Sequence, residues 1–301
     1  MDQAEALRKL AESKNTRTAV HQSLANTTRI ISIASGKGGV GKSTISVNLG
    51  IALAKMGQKV LVFDGDFGLA NINVLLGIVP RYNLLHVIKG DKKLSEVVVS
   101  IQDGIDIIPG ANGYTQLTNL SEIERRNLIR GFSELTDYDI ILIDMGAGIG
   151  TNVVGMLVSS DDLYVVTTPE PTSITDAYGL IKAVIQEDKT KNIKLIVNRA
   201  KNSEEGQKVA NRLISITSRF LDVELKSLGV VYQDQEIEKS TRRQKPFITA
   251  FPQSKASLCI KHITNRILKV NMDDERKERH FGGYIKRFFN FMDTKEKTPM
   301  L

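Results

Sequence analysis

Residues 36–43 read Gly-Lys-Gly-Gly-Val-Gly-Lys-Ser, a set of types and spacings suited to binding phosphate. Gly36, Gly41, Lys42 and Ser43 fill the pattern G-x-x-x-x-G-K-[ST]. Glycines let the backbone curl until its N–H groups converge on phosphate oxygens, so Gly36, Gly38, Gly39, Val40, Gly41 and Thr44 are candidate phosphate ligands through the main chain. Lys42 offers charge to the β- and γ-phosphates, and the Ser43 hydroxyl suits a Mg²⁺ ion. An extra lysine, Lys37, follows the first glycine directly. Acids complete the set. Val60-Leu61-Val62-Phe63 ends in Asp64, with Asp66 two residues on, and Ile140-Ile141-Leu142-Ile143 ends in Asp144. Carboxylates at the C-terminal ends of parallel strands line the crevice where α/β folds bind ligands. Asp144 is then the second acidic element, reaching Mg²⁺ directly or through water. The Gly-rich stretch after it, Met145 to Ile149, suits a loop that moves with the terminal phosphate.

These residues need a strand before the loop and a helix after it. Arg29 to Ser35 is an apolar, β-branched run, and residues 44–56 hold spaced apolar residues without proline, so the helix N-terminus faces the phosphates. Further strands are expected at 60–64, 105–109, 140–144, 162–167, 193–198 and 226–231, with the first at 30–34. Several are nearly continuous Val, Ile and Leu, the mark of strands buried on both faces. Helical stretches alternate with them, which predicts an α/β fold with a doubly wound, mostly parallel sheet flanked by helices, a P-loop NTPase architecture.

The chain of 301 residues is 41% hydrophobic and 25% charged, within the range of soluble globular proteins, and carries a net charge of +7. That charge favours anionic partners: membrane, nucleic acid or nucleotide. A single cysteine excludes an intramolecular disulfide framework and a paired-cysteine metal site. The charged start lacks an apolar signal core, and no run reaches the ~18 apolar residues of a membrane span. A cytoplasmic protein is expected.

The motifs at 37–43, 64–71 (Asp-Gly-Asp-Phe-Gly-Leu-Ala-Asn) and 144–149 (Asp-Met-Gly-Ala-Gly-Ile) resemble those of the deviant phosphate-loop ATPases of the MinD/ParA class over about residues 29–270. The resemblance implies ATP/ADP and Mg²⁺ as ligands and an ATP-sandwiched homodimer. Lys37 would reach the partner's nucleotide, with Asn71 also at that interface. Lys42 would hold the β/γ-phosphates, and Ser43, Asp64 and Asp144 would serve the metal. Asp66 would orient the attacking water. Asn198, closing Leu195-Ile196-Val197-Asn198, matches the family's adenine reader, and a carboxamide can both donate to and accept from the adenine edge. The choice of ATP over GTP rests on this resemblance, and the segment Tyr232 to Gln235 would border the base. The family commonly has Ser-Pro after the second acid, whereas Met145-Gly146 stands here.

Both ends lie outside this domain. Residues 1–28 form a polar leader, 271–280 a charged linker, 281–292 an amphipathic helix and 293–301 a polar tail. At ~100° per residue, Phe281, Tyr284, Ile285, Phe288, Phe289, Phe291 and Met292 fall on one face, opposite Gly282, Gly283, Lys286, Arg287 and Asn290. Such a helix can lie in an anionic membrane interface, where two copies in a dimer bind far better than one. The same face could instead close the core as the domain's last helix. The segment 283–289 resembles the membrane-targeting tail of MinD-type ATPases. The leader Asp2-Gln3-Ala4-Glu5-Ala6-Leu7-Arg8 fits D-Q-A-x-x-L-R, which resembles the N-terminus of the FlhG family, also called YlxH or FleN. That resemblance implies stimulation of the signal-recognition-type GTPase FlhF through Asp2, Gln3, Ala4, Leu7 and Arg8. It also implies flagellar C-ring partners and control of flagellar number and placement. A MinD-like division-site ATPase and a ParA-type DNA-segregation ATPase are the alternatives; the tail weighs against the latter, making nucleic acid an unfavoured partner.

Overall fold

Strand β1 (Arg29–Ala34) is buried along almost its whole length and sits inside an eight-stranded sheet with neighbours on both sides. The computed structural model describes residues 28–66, 71–110, 120–270 and 280–296. After β1 the chain forms α1 (Lys42–Lys55), β2 (Val60–Gly65), α2 (Ile72–Leu76), α3 (Leu84–Ile88) and α4 (Leu94–Val97). Then come β3 (Val99–Ser100), β4 (Asp106–Ile108), α5 (Glu122–Ser133), β5 (Ile140–Met145), α6 (Thr151–Ser159) and β6 (Asp162–Thr167). The second half adds α7 (Pro171–Glu187), β7 (Asn192–Ala200), α8 (Ser203–Leu221), β8 (Lys226–Tyr232), α9 (Gln235–Arg242), α10 (Phe247–Ala250), α11 (Lys255–Val270) and α12 (Phe281–Glu296).

The strand order is β3-β4-β2-β5-β1-β6-β7-β8, parallel throughout except for the antiparallel edge pair β3–β4. All seven anticipated strands are present, with ends shifted by at most two residues. Two apolar layers cover the sheet. On one face Ile30 and Ala34 join Phe63, Ile141 and Val165 under α3 to α8 and α12. On the other, Ile31 and Ile33 join Val62, Leu142 and Val166 under α1, α10 and α11. Register places Asp64 of β2 opposite Asp144 of β5, so the two predicted acids emerge side by side.

The terminal helix is longer than its sequence reading and takes the core-packing alternative left open there. It runs four residues past 292, into the stretch read as a polar tail, and its aromatic face is docked on α5 and α6. Phe281, Tyr284, Ile285, Phe288, Phe289 and Met292 are buried and Phe291 is half-buried. Phe281 stacks edge-on against Phe132 and Phe63. Gly282, assigned to the polar side, is instead buried, and a Cβ there would stand 1.9 Å from the Ser133 Oγ. Arg287, assigned to the cationic side, donates to the Ser159 carbonyl from Nε at 3.0 Å and Nη2 at 2.8 Å. Arg125–Asp293 and Lys295–Glu187 pairs, at 2.6 and 2.7 Å, fasten the far end. An amphipathic face serves a core as well as a membrane, and here the close glycine contact and the arginine on a helix C-terminus favour the core.

Lys191 caps the same end of α6, its Nζ donating to the carbonyls of Val158 and Ser160. Burial pushes this ammonium down to about 8, against the opposing pull of Asp161 and Asp188. The unfolded lysine titrates near ~10.4, so between the two values the unfolded chain holds more protons. Stability therefore rises with pH across that window, while the cost of the buried charge is fully present below it. The stability of the native protein minus that of Lys191→Met should climb by ~1 kcal/mol per pH unit from pH 8 to 10. Paired urea titrations read it, and a flat difference would refute a buried ammonium.

Candidate functional site: a phosphate loop between buried acids

The loop between β1 and α1 uses its glycines where backbone geometry demands them. Gly39 and Gly41 take φ of +75° and +94°, the left-handed region that side chains avoid. Gly36 passes so close to α7 that a Cβ would stand 2.1 Å from the Asp176 carbonyl oxygen. The Ser35 hydroxyl donates to the Lys37 carbonyl at 2.6 Å and braces the turn. Gly41 ends the loop as the N-cap of α1, whose first residues are Lys42, Ser43 and Thr44. The loop amides and the positive end of a fourteen-residue helix thus face one space.

Lys42 is buried, only 8% exposed, and burial lowers its pKa while the Asp144 and Asp66 carboxylates hold its charge in place. Asp64 and Asp144 are each 1% exposed. Burial pushes Asp64 up to about 7, and neighbouring Asp144 adds to the rise. The Asp64 carboxylate accepts from the amides of Ile72, at 3.1 Å, and Asp66, at 3.2 Å, which ties the start of α2 to the strand end. Burial also raises Asp144, to about 6, opposed by hydrogen bonds from Ser43 and Ser46 and by the Lys42 charge. The Ser46 hydroxyl donates to Asp144 Oδ1 at 3.0 Å. Two buried carboxylates that resist ionisation in proximity form a site that gains from a cation, and a hydroxyl beside them is a further hard oxygen ligand. The residues present fit Mg²⁺.

Asp66 is half-buried beside this pair, with Gly146 of the loop after β5 so near that a Cβ there would sit 3.5 Å from its carboxyl carbon. Gly148 donates its amide to the Ser35 carbonyl at 3.2 Å, so the loop 146–150 touches the phosphate loop as well. Asn198 is buried against the phosphate loop: its Nδ2 donates to the Val40 carbonyl at 2.7 Å, and its Oδ1 accepts from the Arg199 amide at 2.9 Å. The Gln233 amide donates to the Ala200 carbonyl, and the Asp234 carboxylate caps α9 and accepts from the Ala256 amide, which fixes the segment expected beside the base.

Lys37 stands apart from the other predicted site residues. Its Nζ pairs with Glu170 at 2.7 Å and bonds to the Thr172 hydroxyl at 2.9 Å, at the N-terminus of α7. Asn71 is exposed at the start of α2, its side chain making no capping bond. Asp2, Gln3, Ala4, Leu7 and Arg8 lie outside the described residues. Sequence reasoning missed Ser46, Glu170 and Thr172. Ser46 was within reach, one helical turn after Lys42 and Ser43 on a helix already inferred.

A family model described as an AAA domain matches residues 28–197. The "Antiactivator FleN" of Pseudomonas aeruginosa is 39% identical over 240 residues, covering 79% of this chain and 86% of that one. The "Flagellum site-determining protein YlxH" of Helicobacter pylori is 39% identical over 220 residues, covering 72% of this chain and 74% of that one. Among solved structures, the septum site-determining protein MinD of Pyrococcus horikoshii, complexed with Mg-ADP, is 30% identical with a TM-score of 0.67, over 81% of this chain and 98% of that one. A phosphate loop with a second lysine, two register-matched acids and these relatives lead to one placement: the chain belongs to the MinD/ParA family of P-loop ATPases, among the FleN and YlxH proteins.

Proposed function

We propose that this protein is an ATP-driven dimerising switch that acts in flagellar number and placement. The observation that carries the reading is the pairing of a complete phosphate loop with Lys37, whose ammonium is held at the surface on Glu170 and Thr172, at the start of α7. A lysine so held is available to a second copy of the chain, where it would supply charge to a phosphoryl group as an arginine finger does. Lys42 and the loop amides bind the phosphates, Asp66 orients water, and Asn198 reads adenine after exchanging its present bonds. Ser43, Asp64 and Asp144 would hold Mg²⁺, which neutralises charge on the phosphate oxygens when bound. The docked α12 then acts as the output: dimerisation frees its aromatic face for an anionic membrane, and two copies bind together. Residues 2–8 would engage an FlhF-type GTPase, and C-ring proteins are the expected flagellar partners. The names and identity of FleN and YlxH support the flagellar setting. A division-site role is the rival, and unchanged GTPase stimulation after deleting residues 2–8 would favour it.

Co-sedimentation with phosphatidylglycerol vesicles tests the switch. Among the described residues no helix is long and apolar enough to cross a membrane. Wild-type protein should sediment with a non-hydrolysable ATP analogue and stay in solution with ADP, and Lys37→Ala should abolish the difference. Because Phe288 and Phe289 are buried, changing them would disturb the fold as well as the membrane face, so Lys37 is the cleaner variant. Equal sedimentation in both nucleotides, or none in either, would sink the switch.

A further inference from the structure

Helix α6 joins the nucleotide site to the terminal helix. Its N-terminus follows the loop 146–150 without a break, and Gly150 is its N-cap. That loop touches the site twice, through Gly148 on the Ser35 carbonyl and through Gly146 beside Asp66. The body of α6 meets α12 with no side chain between: a Cβ on Gly155 would stand 2.6 Å from the Phe291 ring and 3.4 Å from the Met292 sulfur. The C-terminus of α6 carries the two hydrogen bonds from Arg287 to the Ser159 carbonyl. Arg287 also lies 3.9 Å from Asp161, whose carboxylate accepts from the Ile30 amide of β1 at 2.8 Å. A helix of nine residues is a rod ~13 Å long, short enough to move as a body.

We infer that Arg287 is a positioning residue for the ATPase: by holding α6 from its far end, the docked α12 sets the position of the loop that follows Asp144. Freed of α12, the rod loses its packing along Gly155 and its latch at Ser159, and the loop gains freedom beside Asp66. Coupling of this kind is reciprocal. The factor by which an ATP analogue promotes opening of α12 equals the factor by which opening of α12 tightens that analogue. The inference rests on the ATP-driven release of α12 proposed above but needs no membrane.

Hydrogen exchange on the full chain, with and without ADP or a non-hydrolysable ATP analogue, tests it alongside nucleotide affinity and turnover. Arg287→Gln should speed exchange in α12 and also in residues 146–150, although the substitution lies at the opposite end of α6. It should tighten the ATP analogue on the order of five- to a hundredfold, the range of common allosteric couplings. Arg287→Lys, which keeps one donor for Ser159, should fall between. Phe291→Ala provides a second route, since it removes the ring on Gly155 and spares the fully buried aromatics. Faster exchange in α12 with residues 146–150 and affinity unchanged would make Arg287 a simple anchor and overturn the proposal. Unchanged exchange in α12 for both variants would overturn it too. Failure of the wild-type chain to bind either nucleotide would remove the ATPase reading alone, because exchange in residues 146–150 reports the coupling without a ligand.

Discussion

Lys42→Ala is expected to cut ATP turnover by on the order of 10²–10³-fold, the loss seen when a pre-set transition-state donor is removed. The side chain is buried where the loop meets α1, so its charge acts in a low-dielectric space and not through water. Its placement is held by Asp144 and Asp66, which stabilise the ammonium against the burial that lowers its pKa. The converse also holds: the Lys42 charge is one of the influences that keep Asp144 from rising further. Removing it therefore costs twice, once as lost attraction for the β/γ-phosphates and again as a less ionised acid beside the cation position. Phosphate release at saturating ATP, with binding of a fluorescent ADP analogue measured in parallel, reads the two losses separately. Turnover within threefold of wild type would mean that hydrolysis does not run through this loop.

Much of the site was legible in the sequence because it is made of short local patterns. The loop from Gly36 to Ser43 is contiguous, and Asp64 and Asp144 each end a run of apolar residues that can only be an interior strand. Their side-by-side emergence follows from the parallel order β2-β5-β1, itself the usual outcome of strands separated by helices. The edge strand β3 went unread because its ladder is two residues long, Val99 and Ser100 against Ile107 and Asp106, too short for any periodicity. Glu170 was unreadable for another reason: it stands 133 positions from Lys37, and only the adjacency of β1 and β6 brings the two together. The terminal helix shows the limit of pattern alone. Its aromatic face was identified residue by residue, yet amphipathicity does not name the apolar phase that covers it. The deciding features are complementary details on distant elements: Gly155 leaves room for Phe291, Ser133 abuts Gly282, and the Ser159 carbonyl receives Arg287.

Docking of that helix has the second large measurable consequence. In the nucleotide-free protein Phe288→Ala should lower the free energy of unfolding by ~3–5 kcal/mol, the cost of deleting a buried aromatic ring from a packed core. The ring is 0% exposed and belongs to the same apolar cluster as Phe63, Phe132 and Leu157. Were α12 held away from the domain, the same change would fall on a solvated surface and move stability by no more than ~0.5 kcal/mol. Equilibrium urea unfolding distinguishes the two directly, and a value near zero would mean that the aromatic face does not contribute to the fold. A non-hydrolysable ATP analogue sharpens the comparison. If nucleotide binding frees the helix, the ring no longer counts toward the domain, and the cost of Phe288→Ala should shrink in its presence. The same substitution weakens the docked state relative to the freed one, so it should raise the freed population before any nucleotide is added.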